Sequence, residues 1–565
     1  MKKSLQLLNK AGDFPFFLRN YKLLVLWCFV GAMLLAGAAL AAQPDRPQAP
    51  AAAGHCPALP APGGHIVHVS TVNELVDAVN GASSGDTILL ADGNYALNGA
   101  YLRVDTPNVS VRSASGNREA VILDGNYQTT EIFQVVASNV TIADMTLREA
   151  YDHPIHIVTG ENSHNLNALI YNVHIIDPGQ QAIKINPASD GYYNDNGVIA
   201  CSHLELTTAG RVAVWERNGS CYTGGVDMHQ GRGWVIRDNL IEGFWCAQGL
   251  SEHGIHLWRG CRDTIIERNV LNDNARGIGL GLVTSGSGRT YPDNPCPSAS
   301  GYVDDFGGVI RNNFISGNDP GLLASESHFD CGICLANACN AEVLHNTVYT
   351  ADPDTTFSSI EWRFPNTQAL ITNNLVNDTM REREGASAVQ SGNISEAAAN
   401  WFVDAASGDL HLASTATEAL NRVTAPANVS DDVDGDPRPL GSASDVGADE
   451  YGDPPPAAVR DVRIGEVITA GEAITITLTW TAPAGAESQA IRYANVPIHE
   501  ANWASATLLS DSLAGSAGAY TAVLPYSGGE LYFAQRAYNT AGGWSEVSNN
   551  VFWPRSETYL PAILR

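Results

Sequence analysis

Seven short segments in the middle of the chain share an apolar–x–apolar core: HPIHIVT, QAIKIN, GGVDMH, HGIHLW, RGIGLGL, CGICLA and SSIEWRF. Side chains alternate between the two faces of a strand, so the flanking apolar residues point inward and the residue between them outward. Stacking these strands about 4.8 Å apart gathers the outward residues into columns. The first column reads His156, Lys184, Asp227, His256, Gly279, Cys334, Glu361. The second, two residues on, reads Val158, Asn186, His229, Trp258, Gly281, Ala336, Arg363. His156, Lys184, Asp227, His229, His256 and Trp258 thus come from neighbouring positions. An amine, a carboxylate and imidazoles are groups that move protons. An indole offers a flat face to a ring-shaped ligand. Lys184 is the only lysine after Lys22. A solvated row of polar side chains is the bland account of such a column, but a lone Lys, two His and an aromatic within three positions are less typical of it. Gly279 and Gly281 would leave a shallow trough beside them, or mark a bend.

These columns need a scaffold that repeats. From about residue 139 the segments NVTIADMTL, LIYNVHII, VIACSHLEL, WVIRDNLI, TIIERNVL, GVIRNNFI, EVLHNTVY and LITNNLV place two short apolar strands around a turn. The turn holds Asn at 172, 239, 269, 313, 346 and 374, and Ser202 once. These Asn side chains are expected to stack and bond the turn backbone rather than bind a ligand. A repeat of this length built from β-branched strands predicts a β-solenoid with three strands per coil. Val72–Asn80 is the best helix; Thr71 and Glu74 form a capping-box pair and the helix stops at Asn80-Gly81. Followed by GDTILLADGNY, it suits a cap on the first coil. Residues 283–307 interrupt one coil, and RVAVWE (211–216) fits the register poorly, which predicts a loop or hairpin there.

At this point the sequence resembles the pectate lyase-like superfold, particularly its chondroitinase B and alginate lyase branch, over roughly residues 66–395. The resemblance implies a right-handed parallel β-helix with a sugar chain along the column face. It implies an activity on acidic polysaccharide, although the same fold serves lyases, hydrolases, epimerases and inert adhesins. Uronide β-elimination needs a base for the proton α to the carboxylate, a cation for the enolate and a proton for the leaving oxygen. Lys184 is the residue carried over from these lyases, as base if its neighbours depress its pKa. His156 or His256 can act as base or acid, and His229 completes the group. Asp227 can hold Ca²⁺ or orient a histidine. Arg232, Arg259 and Arg276 would grip carboxylates. Glu361 and Arg363 read as an ion pair or a sugar subsite. Hydrolysis needs a closer carboxylate pair than Asp227 and Glu361, four coils apart in this register. Epimerisation shares the first proton abstraction. A non-catalytic glycan binder is the alternative from another class.

The bulk composition fits this reading. The chain of 565 residues has a formal charge of −28, with 44% hydrophobic and 16% charged residues. Residues 1–42 hold five cations and one anion, so without them the balance is 27 to 59, or −32. Such a surface repels nucleic acid and anionic lipid. It also repels polyuronates at long range, so local cations or bound Ca²⁺ would be needed. Residues 23–42 (LLVLWCFVGAMLLAGAALAA), after Lys2, Lys3, Lys10, Arg19 and Lys22, predict a leader ending near Ala42, or an uncleaved membrane anchor. The protein is therefore expected to be secreted or cell-surface, and monomeric. Nine cysteines remain beyond the leader. In an oxidising compartment most should pair, including those of CGICLANAC, which would otherwise suggest a metal knuckle.

The expected order is leader 1–42, Pro/Ala linker 43–64, β-helix 65–395, a cap segment 396–453, a β-sandwich 454–553 and a tail 554–565. The cap holds SDDVDGDPRPLGSASDVGADEY, similar to a terminal segment of bacterial surface β-helix proteins. Its Asp432, Asp434 and Asp436 suggest a Ca²⁺ loop, but the spacing is not that of an EF-hand, since Pro437 stands where the loop glycine belongs, and a capping turn is the better reading. In the sandwich, AQRAYNTAGGWSEVSN resembles the end of a fibronectin type III domain.

Overall fold

The computed structural model describes residues 56–452, 456–526, 528–539 and 543–553. The expected leader, the first part of the linker and the tail 554–565 lie outside them. No helix among the described residues is long and apolar enough to cross a membrane.

The architecture is mostly β. Three parallel sheets of fourteen, ten and ten strands stack as a β-helix, followed by small antiparallel sheets. Helix Val72–Asn80 covers the first coil and carries the expected capping box: Glu74 N–H donates to Thr71 Oγ1, and Thr71 N–H to the Glu74 carboxylate. The column strands His153–Val158, Gln181–Asn186, Gly224–His229, Ile255–Trp258, Arg276–Leu280, Cys331–Ala336 and Ser358–Arg363 lie side by side in one sheet. Their inward residues (Ile155, Ile183, Val226, Ile255, Ile278, Ile333 and Ile360) are fully buried. Each such side chain contributes roughly 1.5–3 kcal/mol by leaving water. A slip of one residue would turn this whole row to solvent, which is why the register is so firmly set.

The turn asparagines form a continuous ladder. Amide nitrogens donate along Asn239, Asn269, Asn313, Asn346, Asn374 and Asn393 at 2.9–3.0 Å. Ser202 continues it, its N–H donating to Asn239 Oδ1. Asn172 is a correction: it stands one place earlier, at φ 50°, and donates to Asp144 instead. It belongs to a neighbouring column that includes Asp144, Asp238, Asn312 and Asn373, where a short polar side chain relieves a left-handed backbone.

Three other regions differ from expectation. Residues 211–216 lie in a helix, Thr208–Asn218, capped by Thr207 and closed by Gly219 at φ 63°. In place of the expected loop or hairpin, the caps and the buried Gly210/Val214 face decide for helix. Residues 56–64, read as a linker, are tied to the coils. Cys56 is bonded to Cys201, Tyr171 donates to the Pro57 carbonyl, and Leu59 packs on Tyr171 and Ala200. Residues 396–452 run back along the flank of the last coils. There Arg268 pairs with Asp431, Arg438 with Glu450, and Phe314 packs edge-on to His411. Asp432 accepts the N–H groups of Asp434 and Asp436, so the Asp run closes a turn.

Among the described residues eight cysteines pair, Cys56–Cys201, Cys221–Cys246, Cys296–Cys339 and Cys331–Cys334, leaving Cys261 free and buried. The C-terminal region forms a three-stranded sheet (Arg463–Ala470, Ala473–Thr479, Ala519–Pro525) and a five-stranded sheet centred on Ser488–Ala494 and Leu531–Asn539.

Candidate functional site

The backbone register reproduces the first column throughout and the second in part. His156 pairs with Lys184, Lys184 with Asp227, Asp227 with His256, His256 with Gly279, Gly279 with Cys334 and Cys334 with Glu361. Val158 pairs with Asn186 and His229 with Trp258.

At the centre stands Asp227. One carboxylate oxygen accepts from Lys184 Nζ and lies 3.5 Å from His229 Nε2. The other accepts from Trp258 Nε1 at 2.9 Å. Lys184 Nζ also donates to His229 Nε2 at 3.1 Å. Burial opposes ionisation of Asp227, yet the adjacent His229 and the Lys184 charge outweigh it and hold the carboxyl far below its usual range. His229 lies below the ordinary imidazole range because burial, aided by the Lys184 charge, outweighs its contact with Asp227. The His229 ring meets the Trp258 indole edge-on, at a centroid distance of 4.7 Å.

His256 lies deeper. It is fully buried, stacks on Trp258 at 5.4 Å with planes 7° apart, and has Nδ1 3.2 Å from Glu252. It touches Trp258 and Glu252, which are partly exposed, and is itself shielded from solvent. Beneath it His253 lies 4.4 Å away, ring to ring, and burial keeps its imidazole well below the usual range. A Cβ on Gly279 would come within 2.6 Å of the His253 ring. The trough expected over Gly279 is therefore filled by His253. Gly281, at φ 72°, leaves no room for a Cβ against the Ala336 carbonyl.

His156 closes the other end. Its Nδ1 meets Glu131 at 2.6 Å and its Nε2 meets Asn186 Oδ1 at 2.8 Å, so both ring nitrogens are engaged. Glu131, Glu252 and His253 escaped the sequence reading. Glu131 belongs to EIFQV, an earlier coil of the same apolar–x–apolar form; Glu252 and His253 stand just before a column strand.

The arginines divide. Arg259 is at the site: its N–H donates to Asp304 and its guanidinium lies 5.7 Å over Trp258. Arg276 opens the next strand, 3.3 Å from Asp330. Arg232 turns onto the neighbouring sheet and lies 3.5 Å from Asp263. Glu361 and Arg363 do not pair with each other. Glu361 is buried and accepts from Arg383, while Arg363 donates to Glu384, because the coil that follows supplies closer partners than the residue two along the strand. Cys334, also in the column, is locked to Cys331.

Asp227 does not fit the expected Ca²⁺. Both its oxygens are engaged by nitrogen donors and an ammonium is the nearest group, whereas Ca²⁺ takes six to eight oxygen ligands. Two stapled insertions flank the site. The segment before Ile255 is held by Cys221–Cys246, and the loop after Leu280 by Cys296–Cys339.

Comparison with known proteins yields no matching family model and no matching curated protein. Similar solved structures include an alginate lyase from Paenibacillus sp. str. FPU-7, 16% identical over 59% of this chain and 99% of that one, with a TM-score of 0.40. The tailspike protein of E. coli bacteriophage HK620, solved with a pentasaccharide, is 13% identical over 87% and 85%, with a TM-score of 0.37. A polygalacturonase from Erwinia carotovora ssp. carotovora is 11% identical over 59% and 95%, with a TM-score of 0.27. No activity is carried over from them.

Proposed function

We propose that this chain is an exported, monomeric lyase that cleaves an acidic polysaccharide by β-elimination at the Lys184–Asp227–His229–Trp258 site. The observation that carries the reading is Lys184 Nζ held 3.1 Å from His229 Nε2, over the carboxylate of Asp227. A uronate carboxylate entering the site competes for the Lys184 ammonium. Drawing Lys184 toward the substrate frees the Nε2 lone pair of His229. His229 then takes the proton α to the carboxylate, and Lys184 neutralises the enolate that forms. The C–O bond to the leaving sugar breaks as the new C=C bond forms, and the leaving oxygen is protonated from the imidazolium or water. Asp227 stabilises both cations without leaving its place. Trp258 supplies the platform for a sugar ring, backed by His256, and Arg259 adds charge at its edge.

Export is supported by the four disulfides and the apolar leader segment in the sequence. The two C-terminal antiparallel sheets, one built on three strands and one on five, fit the fibronectin type III reading and a spacing or binding role.

The test is ultraviolet absorbance during incubation of the protein with alginate, pectate, chondroitin sulfate and heparin-like chains, with Ca²⁺ and with chelator. A rising unsaturated-uronate signal, unaffected by chelator and lost in His229→Ala and Lys184→Ala, is expected. A flat trace for the wild-type protein across the panel rejects the reading for those substrates.

A second reading, a non-catalytic glycan binder, is favoured by the mutual saturation of Asp227, Lys184 and Trp258. It predicts no turnover, with binding lost in Trp258→Ala alone.

A further inference from the structure

A different sheet carries a second concentration of ligand-type groups. Its register sets His174 beside His203, and Glu205 beside Glu242. The two imidazoles stack face to face, centroids 4.4 Å apart and planes 10° apart. His174 Nε2 lies 2.9 Å from the Glu205 carboxylate and its Nδ1 3.2 Å from Glu119; His203 Nε2 lies 2.9 Å from Glu242. One ligand atom from each of His174, His203 and Glu205 falls within 4.8 Å of the others. His203 is buried, and His174 and Glu205 are half-buried. His174 and His203 line a cleft of about 720 Å³, whose opposite wall is the flank segment with Asp409, His411 and Asp434.

The charge arrangement calls for a cation. Three carboxylates, Glu119, Glu205 and Glu242, converge on two rings that stack too closely to carry two positive charges comfortably. Arg118 offsets only Glu119, at 3.1 Å. Two imidazoles and a carboxylate are a zinc ligand set, and three protein ligands with a fourth position free is the arrangement of zinc sites that also bind water or substrate. A carboxylate on the remaining nitrogen of a ligating imidazole fixes its orientation; Glu119 stands so for His174 and Glu242 for His203. The two histidines occupy the same place in successive repeats, LIYNVHII and VIACSHLEL, so the solenoid itself brings them together.

We propose that His174, His203 and Glu205 bind one Zn²⁺ ion, oriented by Glu119 and Glu242, with its open coordination position facing the cleft. The site is independent of the Lys184 column. It is tested on chelator-stripped, full-length protein by calorimetric titration with Zn²⁺ and by the visible spectrum of the Co²⁺-loaded form. One equivalent of Zn²⁺ and tetrahedral Co²⁺ bands are expected. His203→Ala and Glu205→Gln should lose the ion, and Glu242→Gln should weaken it by about 10–100-fold. Asp434→Asn, in the opposite wall, should leave it unchanged. Circular dichroism checks that each variant is folded; if His203→Ala is not, Glu205→Gln and His174→Asn decide. Absence of saturable binding overturns the proposal. So does binding that survives Glu205→Gln and His174→Asn, or that is lost on Asp434→Asn.

Discussion

Asp227 and Lys184 are each almost wholly enclosed, and each is the other's main counter-charge. Removing one partner of such a pair leaves an uncompensated buried charge. Asp227→Asn is therefore expected to destabilise the protein by about 3–5 kcal/mol, read from urea unfolding. The double variant Asp227→Asn/Lys184→Met should recover part of that loss. His229 gives a second prediction. Its proton affinity is reduced in the folded state, so the neutral, base-competent form persists to lower pH than for a free imidazole. The acid limb of kcat/KM on the accepted substrate should fall below about pH 6.5. The same shift makes the unfolded state bind the proton first, so this histidine costs stability as the pH drops below that value. An acid limb at or above pH 7 would exclude His229 as the base.

At the scale of elements, the asparagine ladder ties one coil to the next. Asn313 accepts from the backbone and side-chain nitrogens of Asn269 and donates to Ile266, Arg311 and Asn346. Asn313→Ala leaves several of these buried groups without partners and should cost about 3 kcal/mol in equilibrium unfolding. The flank segment is a weaker element with its own pH dependence. Burial raises Asp432 to about 8 and Asp449 to about 7. Their folded pKa values lie above the unfolded ones, so the stabilisation is complete at low pH and is lost as pH rises toward 8. Between pH 6 and 9, cleavage within 396–452 at matched protease activity should increase, while the coils stay resistant. Equal cleavage across that range would mean that these carboxyls do not hold the segment.

For the whole molecule, a stack of coils gains stability mainly from neighbour on neighbour, and its ends are the exposed places. Cys56–Cys201 spans 145 residues and pins the chain before the first strand to a coil well along the stack. Cross-linking a loop of that length removes unfolded-state entropy worth about 5 kcal/mol in the chain-entropy picture. Cys56→Ser with Cys201→Ser should lower the unfolding midpoint accordingly, whereas Cys221→Ser with Cys246→Ser, which closes 25 residues, should cost less. The strongly acidic surface sets the other global property: any polyuronate must approach against −28 net charge. Turnover on such a chain should therefore rise with moderate salt, as long-range repulsion is screened.

The sequence by itself determined the solenoid, its capped first coil and the pairing of His156, Lys184, Asp227, His256, Gly279, Cys334 and Glu361. Those follow from a two-residue alternation repeated many times, in which a slip would bury polar groups and expose isoleucines. Only the tertiary structure decided which of those residues face solvent, which are sealed under a neighbour and which partner each one takes. His256 and His229 occupy outward positions, yet Trp258 and Glu252 seal the first completely while the second keeps a partly accessible ring. Glu361 found Arg383 rather than Arg363, and His174 of the stacked pair met Glu119 from a distant turn. Strand alternation carries a residue to a face. Depth and partnership there depend on loops and neighbouring coils far away in the chain, and no local pattern records them.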